Sequence, residues 1–106
     1  MEVTIAGLGG KHVRRRIVRT DAFEESVAAL SGSPETRLVL EMLIRRARRW
    51  PHAGELIPGT AARVIRSLPY RKFPAIRLIY RVAGDNIYLY RADYYDVLKT
   101  VPHGSG

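Results

Sequence analysis

Apolar and polar positions change their spacing along the chain, and the changes mark out elements. Residues 12–19, HVRRRIVR, read as a first strand, entered from the Gly7-Leu8-Gly9-Gly10 stretch. Phe23, Val27 and Leu30 then recur at helical spacing behind Thr20 or Asp21, either of which caps a helix, with Glu24 and Glu25 near its positive end. Ser31-Gly32 stops that helix. Ser33-Pro34-Glu35 starts another: a cap, a proline in the first helical position and an acid in the first turn. The stripe Leu40, Leu43, Ile44 and Ala47 carries it to about Trp50. Arg45, Arg46, Arg48 and Arg49 load its negative end, and Pro51 ends it. The short turn between the two predicts an antiparallel helical hairpin.

Beyond Pro51 the spacing changes again. Residues 51–60, PHAGELIPGT, hold Pro and Gly pairs and read as a loop. Strands are predicted over 62–68, 75–82 and 86–91. The second is clearest, with Ile76, Leu78, Tyr80 and Val82 alternating with Arg77, Ile79 and Arg81. Gly84-Asp85-Asn86 supplies a tight turn between the last two. Residues 92–99 read equally as a short strand or a helical turn. This order predicts an α+β domain spanning 1–106, with flexible ends at 1–11 and 100–106. An N-terminal strand and the two-helix hairpin would cover one face of a mostly antiparallel sheet of about three to five strands. Ile76, Leu78, Tyr80 and Val82 would pack on the helices, leaving Arg77 and Arg81 on the open face.

Charge sharpens the picture. The chain carries 18 Lys and Arg against 10 Asp and Glu, a net charge of +8. Fifteen of the cations are arginine, whose planar fork suits phosphate and carboxylate better than lysine's point charge does. Residues 60–91, the predicted sheet, hold seven bases and one acid. A basic patch on one face is the footprint of a polyanionic partner. The absence of cysteine removes thiolate metal sites and a thiol nucleophile, and fits a reducing cytoplasm. No apolar run approaches the ~18 residues of a membrane span, and residues 1–11 do not read as a secretion leader. With three scattered histidines and no carboxylate cluster, neither a metal site nor a cofactor is predicted.

Several strings, in order, resemble the RelE/ParE toxins of type II toxin–antitoxin systems. They are IVRTDAFEESVAAL at 17–30, Trp50-Pro51-x-x-Gly54, Ile57-Pro58-Gly59-Thr60 and Ile65-Arg66-Ser67-Leu68-Pro69. The clearest is Phe73-Pro74-x-x-Arg77-Leu78-Ile79-Tyr80-Arg81-Val82. The resemblance spans residues 14–98 and implies a toxin neutralised by a cognate antitoxin that wraps it. RelE-like members cut messenger RNA on the ribosome, whereas ParE-like members poison DNA gyrase without being nucleases. Cleavage of the RelE kind has a 2′-OH attack the neighbouring phosphorus and expel a 5′-oxygen, without metal. It requires a base, an acid and charge stabilisation of the phosphorane.

The resemblance assigns the phosphate to Arg77, in the Arg-x-x-Tyr strand, and to Arg66 on the preceding strand. Arg66 shares parity with Val64 and Leu68, so without a bulge it would face the helices or sit at their edge. Arg63, on the opposite face, is the fallback. Arg71 and Lys72, in a loop, and Arg81 are expected RNA-backbone contacts. Tyr94 and Tyr95 fall where the family often places a catalytic His, Arg or Tyr, to stack on a base or donate a proton. Tyr88 and Tyr90 share a parity and, if it is the open one, would form a stacking surface beside Arg77. The run Asp93-Tyr94-Tyr95-Asp96 is acidic where many nuclease members are basic, and the predicted sheet region holds no histidine and no glutamate. His12, His52 and His103 read as surface residues. A general base would have to be Asp93 or a tyrosine. The expected activity is ribosome-dependent mRNA cleavage, with gyrase inhibition or a catalytically degenerate antitoxin-binding protein as the alternatives.

Overall fold

A computed structural model of the chain describes residues 15–30, 32–68 and 74–95. The described elements are β1 (Arg16–Arg19), α1 (Asp21–Ala28), α2 (Pro34–Arg49), a 3-10 turn (Pro51–Ala53), β2 (Glu55–Leu56), β3 (Ala62–Arg66), β4 (Ala75–Ala83) and β5 (Asn86–Tyr95). The strands form one five-stranded sheet in the order β1-β5-β4-β3-β2. β1 runs parallel to β5 and the other pairings are antiparallel. The predicted α+β layering is therefore present. Arg71, Lys72, His12, His103 and the expected flexible ends lie outside the described residues.

Both helices begin as their sequences dictate. The Thr20 hydroxyl accepts from the Phe23 amide at 3.1 Å and donates to the Leu89 carbonyl at 2.7 Å, so the cap of α1 also ties it to β5. Ser33 caps α2 by accepting from the Thr36 amide at 3.2 Å. Past the end of β1, α1 takes over the edge of β5: the Ser26 hydroxyl accepts from the Ala92 amide at 2.9 Å. That satisfies a backbone donor β1 is too short to reach.

The core lies between the helices and one sheet face. Phe23 of α1 and Leu40, Leu43, Ile44 and Ala47 of α2 pack with Ile65, Ile76, Leu78, Tyr80, Ile87, Leu89 and Ala92. Tyr80 is fully buried and its hydroxyl is used twice, donating to the Pro51 carbonyl at 2.7 Å and accepting from the Gly54 amide at 3.1 Å. Burial raises its pKa, an effect the Gly54 hydrogen bond and the charges of Arg63 and Arg46 only partly offset. The phenol stays protonated and serves as a structural bolt.

Three features depart from the sequence reading. The 51–60 loop contains the 3-10 turn and a two-residue edge strand, β2, paired with β3 through Glu55↔Val64 and Leu56↔Arg63. The facing of β3 is reversed. Arg63 and Ile65 lie opposite Tyr80 and Leu78 on the covered side, whereas Val64 and Arg66 lie opposite Ile79 and Arg77 on the open side. Finally, β5 carries a bulge. Tyr80 pairs with Leu89 but Ile79 pairs with Arg91, which leaves Tyr90 as an extra residue. The tight turn, by contrast, stands as expected, with Ala83 opposite Asn86 and Gly84 at φ 60°.

Candidate functional site

The bulge at Tyr90 builds the open face. Before it, Ile87 and Leu89 point into the core, so strict alternation would send Arg91, Asp93 and Tyr95 inward as well. The extra residue shifts the period: Ala92 becomes the buried one, and Arg91, Asp93 and Tyr95 emerge on the side of Arg77. Arg66, Arg77 and Asp93 then stand in one cross-strand row, with Tyr95 next along β5 opposite Ala75.

The groups in this row touch. Arg77 grips Asp93 with both prongs, Nε to Oδ1 at 2.9 Å and Nη2 to Oδ2 at 2.9 Å. Arg91 Nε reaches the same Oδ2 at 2.8 Å. Arg66 Nη1 meets Glu55 Oε1 at 3.3 Å. The Tyr95 ring lies beneath both cations, its centroid 5.0 Å from the guanidinium carbon of Arg66 and 5.9 Å from that of Arg77. Beside them a groove of about 450 Å³ is lined by Val64, Ile79, Leu56, Ile57, Pro58 and Glu55 together with Arg66 and Arg77. The Arg77 side chain keeps 35% of its surface exposed.

The ion pairs set the protonation states. Burial by itself would raise the Asp93 pKa, but hydrogen bonds from Arg77 and Arg91, and their charges, outweigh it and hold the carboxyl below its usual value. The same hydrogen bond raises Arg77 above its ordinary value. A carboxylate made more acidic and held by two guanidiniums is a weakened proton acceptor, which counts against Asp93 as the base considered for it. Because its folded-state pKa is depressed, its stabilising contribution is present above the unfolded carboxylate pKa and fades as pH falls through the folded value. Asp93→Asn is therefore expected to be less stable than wild type at neutral pH. The gap should close in acid below the carboxylate range, as urea unfolding at a series of pH values would show.

The other expected site residues are dispersed. Arg63 is turned to the covered side and its Nη1 donates to the Gly54 carbonyl at 2.8 Å, so it is not one of the open-face arginines. Tyr94 pairs with Ile76 and belongs to the covered face, away from Arg77; of the two tyrosines, Tyr95 is the one at the row. Tyr88 lies opposite Arg81, and Tyr90 occupies the bulge, so they do not make a joint stacking surface beside Arg77. His52 is exposed in the 3-10 turn. Sequence reasoning missed Glu55 and Arg91; an edge strand only two residues long and a bulge without glycine leave no signal in composition. Among the described residues no three His, Asp or Glu side chains converge as a metal site would require, and no helix is long and apolar enough to cross a membrane.

No family model and no curated protein sequence matches the chain. Solved structures do. The RelBE2 toxin–antitoxin complex of Mycobacterium tuberculosis aligns with a TM-score of 0.63 at 18% identity, over 78% of this chain and 100% of the other. A mutant of the E. coli toxin RelE in the free state aligns with a TM-score of 0.59 at 12% identity, over 82% of this chain and 87% of the other. The chain thus has the RelE-type toxin fold.

Proposed function

We propose that the chain is the toxin of a toxin–antitoxin pair and that it cleaves messenger RNA on the ribosome. The observation that carries this reading is the gathering of Arg66, Arg77 and Tyr95 on the uncovered side of the sheet. In that role Arg77 and Arg66 hold the non-bridging oxygens of the scissile phosphate. They stabilise the charge that builds up as a 2′-OH attacks phosphorus and the 5′-oxygen leaves. Tyr95 presents an aromatic face or a hydroxyl to the nucleotide. The similarity to a structure of a toxin–antitoxin complex supports an antitoxin as the protein partner.

A second reading is a gyrase poison, favoured by one observation: Asp93 and Glu55 already occupy the guanidiniums a phosphate would need. Parallel assays separate the two. Purified chain added to a translating extract is expected to shorten the message and stop synthesis while leaving gyrase supercoiling untouched. Intact message together with lost supercoiling would support the second reading instead.

A further inference from the structure

Arg66, Arg77 and Arg91 all hold carboxylates, but among the described residues Arg81, on the same face, does not. Arg81 stands four positions along β4 from Arg77, on the same side and roughly 13 Å away at the rise of a strand. Among the described residues it makes no ion pair or hydrogen bond, and its Nε is buried with no partner. Its guanidinium carbon lies 5.6 Å from the centroid of the Tyr88 ring, its cross-strand neighbour. Exposed Arg16 of β1 pairs with Asn86 and so lies on this side too, one step from Tyr88. An anion arriving at Arg77 must displace Asp93 from a two-pronged ion pair. At Arg81 no acid has to be displaced, so a charge-assisted bond there is not offset by a broken one.

We propose that Arg81 and Tyr88, with Arg16 at the rim, form a second subsite that takes a phosphodiester of single-stranded RNA and stacks the adjoining base. It rests on the RNA reading above but lies apart from the Arg66–Arg77 row, more than one nucleotide along an extended strand. The subsite is preformed, since β4 and β5 hold both side chains in register, and it anchors the strand whose next phosphates then compete with Asp93 for Arg77.

The test is binding of a short, fully 2′-O-methylated RNA, which cannot be cleaved, to the full chain at several salt concentrations, beside an abasic strand of equal length. Arg81→Ala is expected to weaken both strands and to lower the slope of log affinity against log salt by about 0.7, the value for one phosphate on a single strand. Tyr88→Ala is expected to weaken the RNA by about 5- to 100-fold and to spare the abasic strand; Tyr88→Phe keeps the wild-type affinity. Arg81→Lys checks the folded state and keeps the salt slope while losing part of the affinity. Wild-type binding by folded Arg81→Ala and Tyr88→Ala overturns the proposal, as does failure of the wild type to bind RNA. So does loss confined to a polyglutamate competitor, which would mark an acidic protein site. RNA binding lost in these variants, with a wild type that cuts no message, would keep the subsite and remove the nuclease reading. Message cleavage with unchanged RNA binding in the variants would do the reverse.

Discussion

Gly54→Ala is expected to lower the thermal midpoint by roughly 10–20 °C, corresponding to about 2–3 kcal/mol. The backbone at Gly54 is ordinary, with φ −74° and ψ 153°, so conformational freedom is not what the position requires. It requires space. A Cβ there would sit 2.5 Å from the Tyr80 hydroxyl oxygen and 3.0 Å from both Tyr80 Cε1 and the Val64 carbonyl oxygen. None of these can yield freely, because Tyr80 is fully buried and Val64 belongs to a paired strand. Moving the ring would break its bonds to Pro51 and Gly54 and leave buried polar groups unsatisfied. Tyr80→Phe, which removes the hydroxyl without crowding, should lose about 1–3 kcal/mol from the same contacts. A thermal melt by circular dichroism reads both; a Gly54→Ala midpoint within a few degrees of wild type would mean the passage from α2 to β3 is looser than its geometry indicates.

The second large effect belongs to chemistry. Arg77→Ala is expected to slow cleavage of ribosome-bound message by about 10²–10³-fold, the usual cost of deleting one preorganised donor to a developing anion. Its fold should survive. Arg77 is partly exposed on the open face, and its loss leaves Asp93 still held by Arg91 at 2.8 Å. Arg77→Lys keeps the charge but not the fork, so it should recover only a fraction of the rate. Single-turnover cleavage measured for both, with melts as controls, is the check. An undiminished rate in Arg77→Ala would remove that residue from the reaction.

Much of this arrangement was legible in the residues. The cap signals, Thr20 or Asp21 for the first helix and Ser33 for the second, and the stripe Leu40, Leu43, Ile44 and Ala47 announce the two helices, and Gly84-Asp85-Asn86 announces the turn between β4 and β5. The alternation in β4 correctly separates Arg77 and Arg81 from Ile76, Leu78 and Tyr80. The string Trp50-Pro51-x-x-Gly54 was visible too, but its reason is tertiary: Pro51 and Gly54 meet a tyrosine nearly 30 residues away. What periodicity missed has a common cause. β3 has apolar residues on both faces, because Val64 packs beneath the β2 loop while Ile65 faces the helices, so parity alone could not orient Arg66. In β5 the extra residue at Tyr90 inverts every later position. It exchanges Tyr94 for Tyr95 at the row and brings Asp93 onto Arg77.

The claim at the centre of this account is that the uncovered guanidiniums act on a phosphodiester of message held by the ribosome. End-group analysis of fragments recovered from translating ribosomes tests it most directly. Attack by a neighbouring 2′-OH predicts downstream fragments that begin with a 5′-hydroxyl, at positions inside the coding sequence. Fragments beginning with a 5′-phosphate, or full-length message recovered from arrested ribosomes, would contradict it.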